Sequence, residues 1–308
     1  MNWKKLKVLA IALLLLVDGF FLFMIVQRNY HSTHYDGEVI DSAIGVFRKS
    51  ELYVDRSFLE DKVVTLPVYT GRAVSDLSQT AVARTLIAAG YRLSEVSGGI
   101  RCTDAIGEFY FGNDFAFYYT EHGLYDRPSD LLATERYIRL TPENVYRQDA
   151  LRVAANFVAR YNLRSLGEGA FDYEIAYGEV YSSGINYIVT LTQRIDGVPI
   201  YGEICLLISG GRVMAADGVF VTSSPDRRES AEMTDLINVL FMEKAFLDER
   251  YREGGRFSYT PMVLSKVVYS YAVYFDAEGT FYFVPLCTVS YMNGESRSYN
   301  CVSRKLYS

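Results

Sequence analysis

Histidine is scarce in this chain of 308 residues: His31, His34 and His122 are the three it has. Any Ser-His or Cys-His mechanism must therefore pass through one of them. His31 and His34 offer two imidazoles without a third ligand and read as linker residues, while His122 beside Gly123 reads as a loop at a hairpin end. No Gly-x-Ser-x-Gly elbow, Ser-x-x-Lys pair, His-Glu-x-x-His helix or phosphate-cradling glycine loop occurs. Paired carboxylates such as Glu229 with Glu232, or Asp248 with Glu249, fall on polar helix faces. The chain is expected to have no catalytic centre, no cofactor and no metal site.

Cysteine is equally sparse. Cys102, Cys205, Cys287 and Cys301 are too few for a disulfide-built scaffold and lack metal-ligand spacing. Cys287 and Cys301 flank Ser290-Tyr-Met-Asn-Gly-Glu295. A three-residue loop over Asn293, Gly294 and Glu295 would bring the two thiols face to face, whereas a two-residue Asn-Gly turn would set Asn300 opposite Cys287. One register permits a bridge and the other does not.

Blocks of basic residues are absent too. Lys4, Lys5, Lys7 and Asp18 precede residue 27, so the remainder carries 28 of the 31 basic and 36 of the 37 acidic side chains, a net charge of −8. Nucleic acid and anionic polymers are therefore excluded as expected ligands.

One long apolar run breaks this pattern. Met1-Asn-Trp-Lys-Lys-Leu-Lys7 leads into Val8 to Val26, and 19 residues at about 1.5 Å each match the roughly 30 Å hydrocarbon core of a bilayer. Its exit, Met24 to Tyr30, has no small-x-small cleavage site, so residues 1–30 are expected to be a cytoplasmic stub and an uncleaved transmembrane anchor. The lysines before it, against a lone Arg28 followed by Asp36 and Glu38, place the N-terminus in the cytoplasm and the body outside the cell. Asp18 sits near the centre of the run, at an insertion cost of roughly 2.5–3.5 kcal/mol. Asp18, Gly19, Phe20 and Phe21 are the candidate contact with another membrane helix, Gly19 permitting close approach. The alternative is a protonated or snorkelling Asp18 without a partner.

The body reads as α+β, with a first lobe over residues 31–140 and a second over 141–308. In the first, Val39, Ile40, Ala43, Ile44 and Phe47 mark one helical face, Val63 to Tyr69 a strand broken by Pro67, and Ser75 the start of a helix ending at Gly90. A hairpin turns around Gly112-Asn-Asp114. The second lobe repeats a helix followed by antiparallel strands, over about 141–225 and 226–308. Its first helix is expected to be capped by Thr141, with strands over 171–181, 186–194, 200–208 and 212–221. Its second places Leu236, Ile237, Leu240, Phe241 and Leu247 on a core stripe before strands over 263–275, 280–291 and 297–303. Val267, Tyr269, Tyr271, Val273 and Phe275 alternate, so each sheet is expected to bury one face and leave the other to solvent. The 26 tyrosines suit such half-exposed faces and protein interfaces, although strand propensity explains most of them.

Three segments carry a family resemblance. Met1-Asn-Trp-Lys-Lys-x-Lys7 before an apolar helix with a polar residue inside it, the run Gln193-Arg-Ile-Asp-Gly-Val-Pro-Ile-Tyr201 with the strand and Gly210-Gly211 turn after it, and Tyr282-Phe-Val-Pro-Leu286 together resemble the YycI regulatory proteins of low-GC Gram-positive bacteria. Leu286 stands where that family often has Trp. The resemblance implies a single-pass protein with a bilobal α+β ectodomain and no catalytic activity. It also implies a YycH-like anchored companion and an essential WalK/YycG-like sensor histidine kinase controlling cell-wall metabolism as partners, contacted through Val8 to Val26. The helix-plus-sheet units look somewhat like PepSY modules as well. That likeness implies instead a tethered binding module that restrains a protease or senses an envelope ligand.

Overall fold

Asp36, in an extended conformation, opens the first helix, α1 (Gly37–Arg48). Ile40, Ala43 and Phe47 recur at helical spacing and are buried, and Glu38 and Arg48 complement the helix dipole at the two ends. This computed structural model describes residues 20, 24, 34–60, 65–73, 77–121, 126–134, 136–163, 173–231, 233–253 and 260–307. Over them the chain is α+β, with large antiparallel sheets and few helices.

After β1 (Leu52–Tyr53), the strand β2 (Pro67–Arg72) begins at Pro67 rather than being broken by it. A proline has no N–H to give a ladder, and the first position of a strand tolerates that loss. Thr80, not Ser75, caps α2 (Ala81–Ala88): its hydroxyl accepts from the Ala83 N–H at 3.2 Å, and the chain leaves the helix through Gly90 at φ +96°. A meander follows in β3 (Arg92–Val96), β4 (Gly99–Thr103), β5 (Gly107–Gly112) and β6 (Ala116–Glu121). Then come α3 (Pro128–Leu132), β7 (Ile138–Arg139) and α4 (Val145–Arg160). Asn144 caps α4, its side chain accepting from the Tyr146 N–H at 3.0 Å, because Thr141 to Asn144 close a turn of their own.

The strands β8 (Glu174–Ser182), β9 (Tyr187–Ile195), β10 (Val198–Pro199), β11 (Ile204–Ser209) and β12 (Arg212–Val219) are joined by tight turns. Asp196 and Gly197 both take positive φ, 49° and 78°, as a two-residue hairpin requires. After β13 (Arg227–Ser230) come α5 (Leu236–Glu253), β14 (Met262–Phe275), β15 (Thr280–Tyr291), β16 (Ser296–Asn300) and β17 (Lys305–Tyr307). The strand expected to run to residue 303 stops at Asn300, whose side chain accepts from the N–H groups of Val302 and Ser303 and turns the chain back.

The chain divides into two compact units that follow contacts rather than chain order. They cut across the contiguous spans 31–140, 141–225 and 226–308 drawn from the sequence. Unit 1 comprises residues up to Leu66, Glu232–Val268 and Cys287–Ser308, with α1, α5 and strands in the order β1-β14-β15-β16-β17. Unit 2 comprises Pro67–Ala231 and Tyr269–Leu286. Among the described residues its main sheet has ten strands, in the order β3-β4-β5-β6-β12-β11-β9-β8-β7 with β10 beside β9, and α4 crosses β8, β9, β11 and β12. In the same unit β2 lies between β13 and the first part of β15.

Two expectations about burial give way here. All of Ile204 to Ile208 is buried, because Cys205 and Leu207 pack with Ile188 and Ala215 beneath Leu131, Leu132, Tyr137 and Tyr181, so β11 has no solvent face. In β14 the alternation starts with Met262 and Leu264 inside, but Ser270, Tyr271 and Ala272 are consecutively buried and Phe275 is exposed. Tyr271 is enclosed by Tyr69, by Phe283 and by a bridge to Ile200.

Candidate functional site

Asp18, Gly19 and Phe21, the expected membrane contact, lie outside the described residues, as do His31 and His122. Phe20 is helical and 57% exposed, and Met24, one turn on, is 49% exposed. Among the described residues no helix is long and apolar enough to cross a membrane, a search that leaves out 18 of the 19 positions before Phe20 and all of residues 1–19. Also among the described residues, no group of three or more His, Cys, Asp and Glu side chains could hold a metal ion.

In unit 1 the helical stripe read in α1 splits in two. Ile40, Ala43 and Phe47 enter the core, the Phe47 ring meeting Phe241 of α5 edge-on at 4.9 Å. Val39, Ser42, Ala43 and Val46 instead wall an open groove of about 410 Å³ against Ile237 and Phe241. Val39 and Phe241 stay exposed in it. The groove is apolar, carries Glu38 at its edge, and is shaped to receive a side chain rather than to perform chemistry.

A buried ionic network fixes α5. Glu243 is fully buried, and Arg297 of β16 reaches it with Nε 2.8 Å from Oε1 and 3.1 Å from Oε2. Tyr299 donates its hydroxyl to the same carboxylate. The guanidinium also stacks over the rings of Phe246 and Tyr291 and bonds Glu295 at 2.7 Å. Burial first, and then the charge of Glu243, push the Tyr299 phenol well above its usual range. Sequence reasoning missed Glu243, although its position three residues after Leu240 and four before Leu247 puts it on the apolar stripe.

All four cysteines are free and buried. Burial pushes the Cys102 thiol up to about 11 and those of Cys205 and Cys301 up to about 12, the opposite of what an attacking thiolate needs. The open question over Cys287 and Cys301 resolves through the hairpin. The Tyr291 N–H bonds Glu295 O, the Gly294 N–H bonds Tyr291 O, and Thr288 and Ser298 hydroxyls meet at 2.7 Å. This loop, Met292 to Gly294, lies one residue earlier than either register weighed from the sequence, and it sets Tyr299 rather than Cys301 across from Cys287.

The run Gln193 to Tyr201, which carries much of the family resemblance, is occupied with holding unit 2 together. The buried Gln193 amide bonds both backbone groups of Val221, Asp196 accepts from Tyr69 and pairs with Arg228 at 3.3 Å, and the Tyr201 N–H donates to Tyr271 O at 2.6 Å. No protein-family model matches the chain, and no curated protein matches it. Among solved structures it is similar to an uncharacterized protein from Eubacterium rectale ATCC 33656, with a TM-score of 0.46 and 11% sequence identity over 84% of this chain and 91% of that one.

Proposed function

We propose that this chain is a non-enzymatic, membrane-anchored extracytoplasmic regulator of a two-component sensor histidine kinase controlling cell-wall metabolism, working beside a YycH-like anchored companion. The observation that carries this is one of chain order. The apolar run 8–26 is followed, after residues 27–36, by α1, and Val39 and Val46 of α1 line an apolar groove left open against Phe241. A single-pass anchor followed directly by an open helix-lined groove suits a protein that grips a partner close to the bilayer. Such a regulator needs a difference in affinity between two kinase states and no chemistry of its own. The sequence resemblance at 1–7, 193–201 and 282–286 names the partner class.

The test is affinity purification of the full-length protein from its native membrane, beside a variant whose residues 8–26 are replaced by an unrelated transmembrane helix. The proposal requires that a histidine kinase and a second single-pass protein come with the native helix and that the kinase be lost with the swap. Recovery of the same partners by both constructs would reduce the helix to a tether. A PepSY-like module restraining a protease would then be favoured, and α4 laid across β8, β9, β11 and β12 is the observation behind that second reading.

A further inference from the structure

Unit 2 contains a cavity whose chemistry differs from that of the groove on α1 and α5. It measures about 180 Å³ and opens beside α4, over β6, the start of β12 and the turn between β4 and β5. Its floor is aromatic: Tyr119 from β6, with Phe157 and Tyr161 from α4. The Phe157 centroid lies 5.0 Å from each of the other two. Behind them Phe109 stands 4.4 Å from Tyr119 and 4.8 Å from Tyr161, and the Tyr91 hydroxyl is 3.3 Å from that of Tyr161. The floor is therefore held in place before anything binds.

The rim is polar and carries one cation in excess. Arg212 pairs with Glu121 at 3.3 Å. Arg160 lies over the Tyr161 ring at 5.3 Å, and among the described residues no carboxylate pairs with it. Asn156, one turn before Arg160 on α4, adds an amide to the same side. Ile106 is presented at the mouth, 47% exposed, by a turn that the Asp104 carboxylate fixes through the N–H groups of Ile106 at 2.7 Å and Gly107 at 2.8 Å.

We infer that this cavity binds a small organic monoanion, one carboxylate on a compact body of about a single aromatic ring. An apolar cavity of roughly 150 Å³ accommodates benzene, so this volume accepts one ring on the aromatic floor and leaves the carboxylate at the open side. There Arg160 offers a planar pair of donors that matches a carboxylate, and Glu121 disfavours a second negative charge. The same chemistry is available from a free aromatic acid or from the C-terminus of a polypeptide ending in an aromatic residue.

Phenylacetate is the probe, titrated calorimetrically into the detergent-solubilised full chain beside its uncharged analogue phenylacetamide. The expected result is saturable binding of the acid, about ten-fold or more weaker for the amide and for Arg160→Gln. Val153→Phe, which fills the cavity from α4, abolishes it. Equal affinity for acid and amide, unchanged binding by Arg160→Gln, or no binding of the acid at millimolar concentration would overturn the assignment. Arg160 is at the surface, so its variant reports on binding rather than folding. Glycyl-phenylalanine distinguishes the sources: tighter binding than phenylacetate points to a polypeptide C-terminus, weaker binding to a free acid.

Discussion

Arg297 and Glu243 form a two-pronged contact, with Nε 2.8 and 3.1 Å from the two carboxylate oxygens, around a carboxylate that has no solvent exposure. Removing one member leaves the other charged and buried without compensation. Arg297→Met should therefore destabilise the protein by about 3–5 kcal/mol, while the double variant Glu243→Leu with Arg297→Met should recover most of that loss. Urea unfolding midpoints of the two single variants and the double variant decide it. A double variant no more stable than Arg297→Met would show that the pair does more than neutralise itself.

The neighbouring Glu295 makes the same region sensitive to acid. The hydrogen bond from Arg297 is the largest influence holding its carboxyl below the usual range, with Arg250 at 3.2 Å assisting. Its folded-state pKa thus lies below its unfolded one, and the unfolded chain binds the proton more readily. The stability it contributes is complete above the ordinary glutamate pKa of about 4.3 and is lost as pH falls through the lowered value. Glu295→Gln should remove that part of the pH dependence. Stability curves of wild type and variant that stay parallel between pH 3 and 6 would contradict this.

Gln193 supplies a test of what the family-like run does. Its side chain accepts from the Val221 N–H at 2.6 Å and donates to Val221 O at 3.2 Å, and it is buried. Gln193→Leu strands both backbone groups and should cost about 2–4 kcal/mol. Thermal unfolding measures it, and a midpoint within a degree of wild type would mean that water or a backbone shift replaces the amide.

These contacts also mark where the sequence was readable. Local signals translated well: β15 occupies the expected Thr280 to Tyr291, and Asp196-Gly197 and Gly210-Gly211 sit in hairpin turns with the positive φ their residue types favour. Boundaries set by competition between nearby polar groups did not, as when Asn144 rather than Thr141 caps α4. Non-local burial was the least legible. Glu243 is inside because Arg297, 54 residues away, meets it there, and Ser270 to Ala272 are inside because neighbours cover both faces of that stretch of β14. The groove of α1 was half visible, since the stripe from Val39 to Phe47 could be read, whereas its division between core and open surface depends on where α5 lies.

That division sets the prediction on which the functional proposal most depends. Val39 and Phe241 are 47% and 38% exposed, so Val39→Asp and Phe241→Asp should alter stability far less than the variants in the ionic network, and circular dichroism should stay native. Each nevertheless puts a charge into an apolar groove, and a partner seated there would have to bury it unpaired. Recovery of the kinase or its companion by the full-length protein should fall about ten-fold or more. Ile185→Asp, at an 81% exposed position in unit 2, is the matched control and should leave recovery unchanged. Asp18→Leu tests the anchor separately: kinase output should change while the amount of protein in the membrane does not. Groove variants that lose the companion but keep the kinase, combined with the reverse for Asp18→Leu, would assign the two partners to the two surfaces. Unaltered partner recovery in all three variants would remove both surfaces from the account.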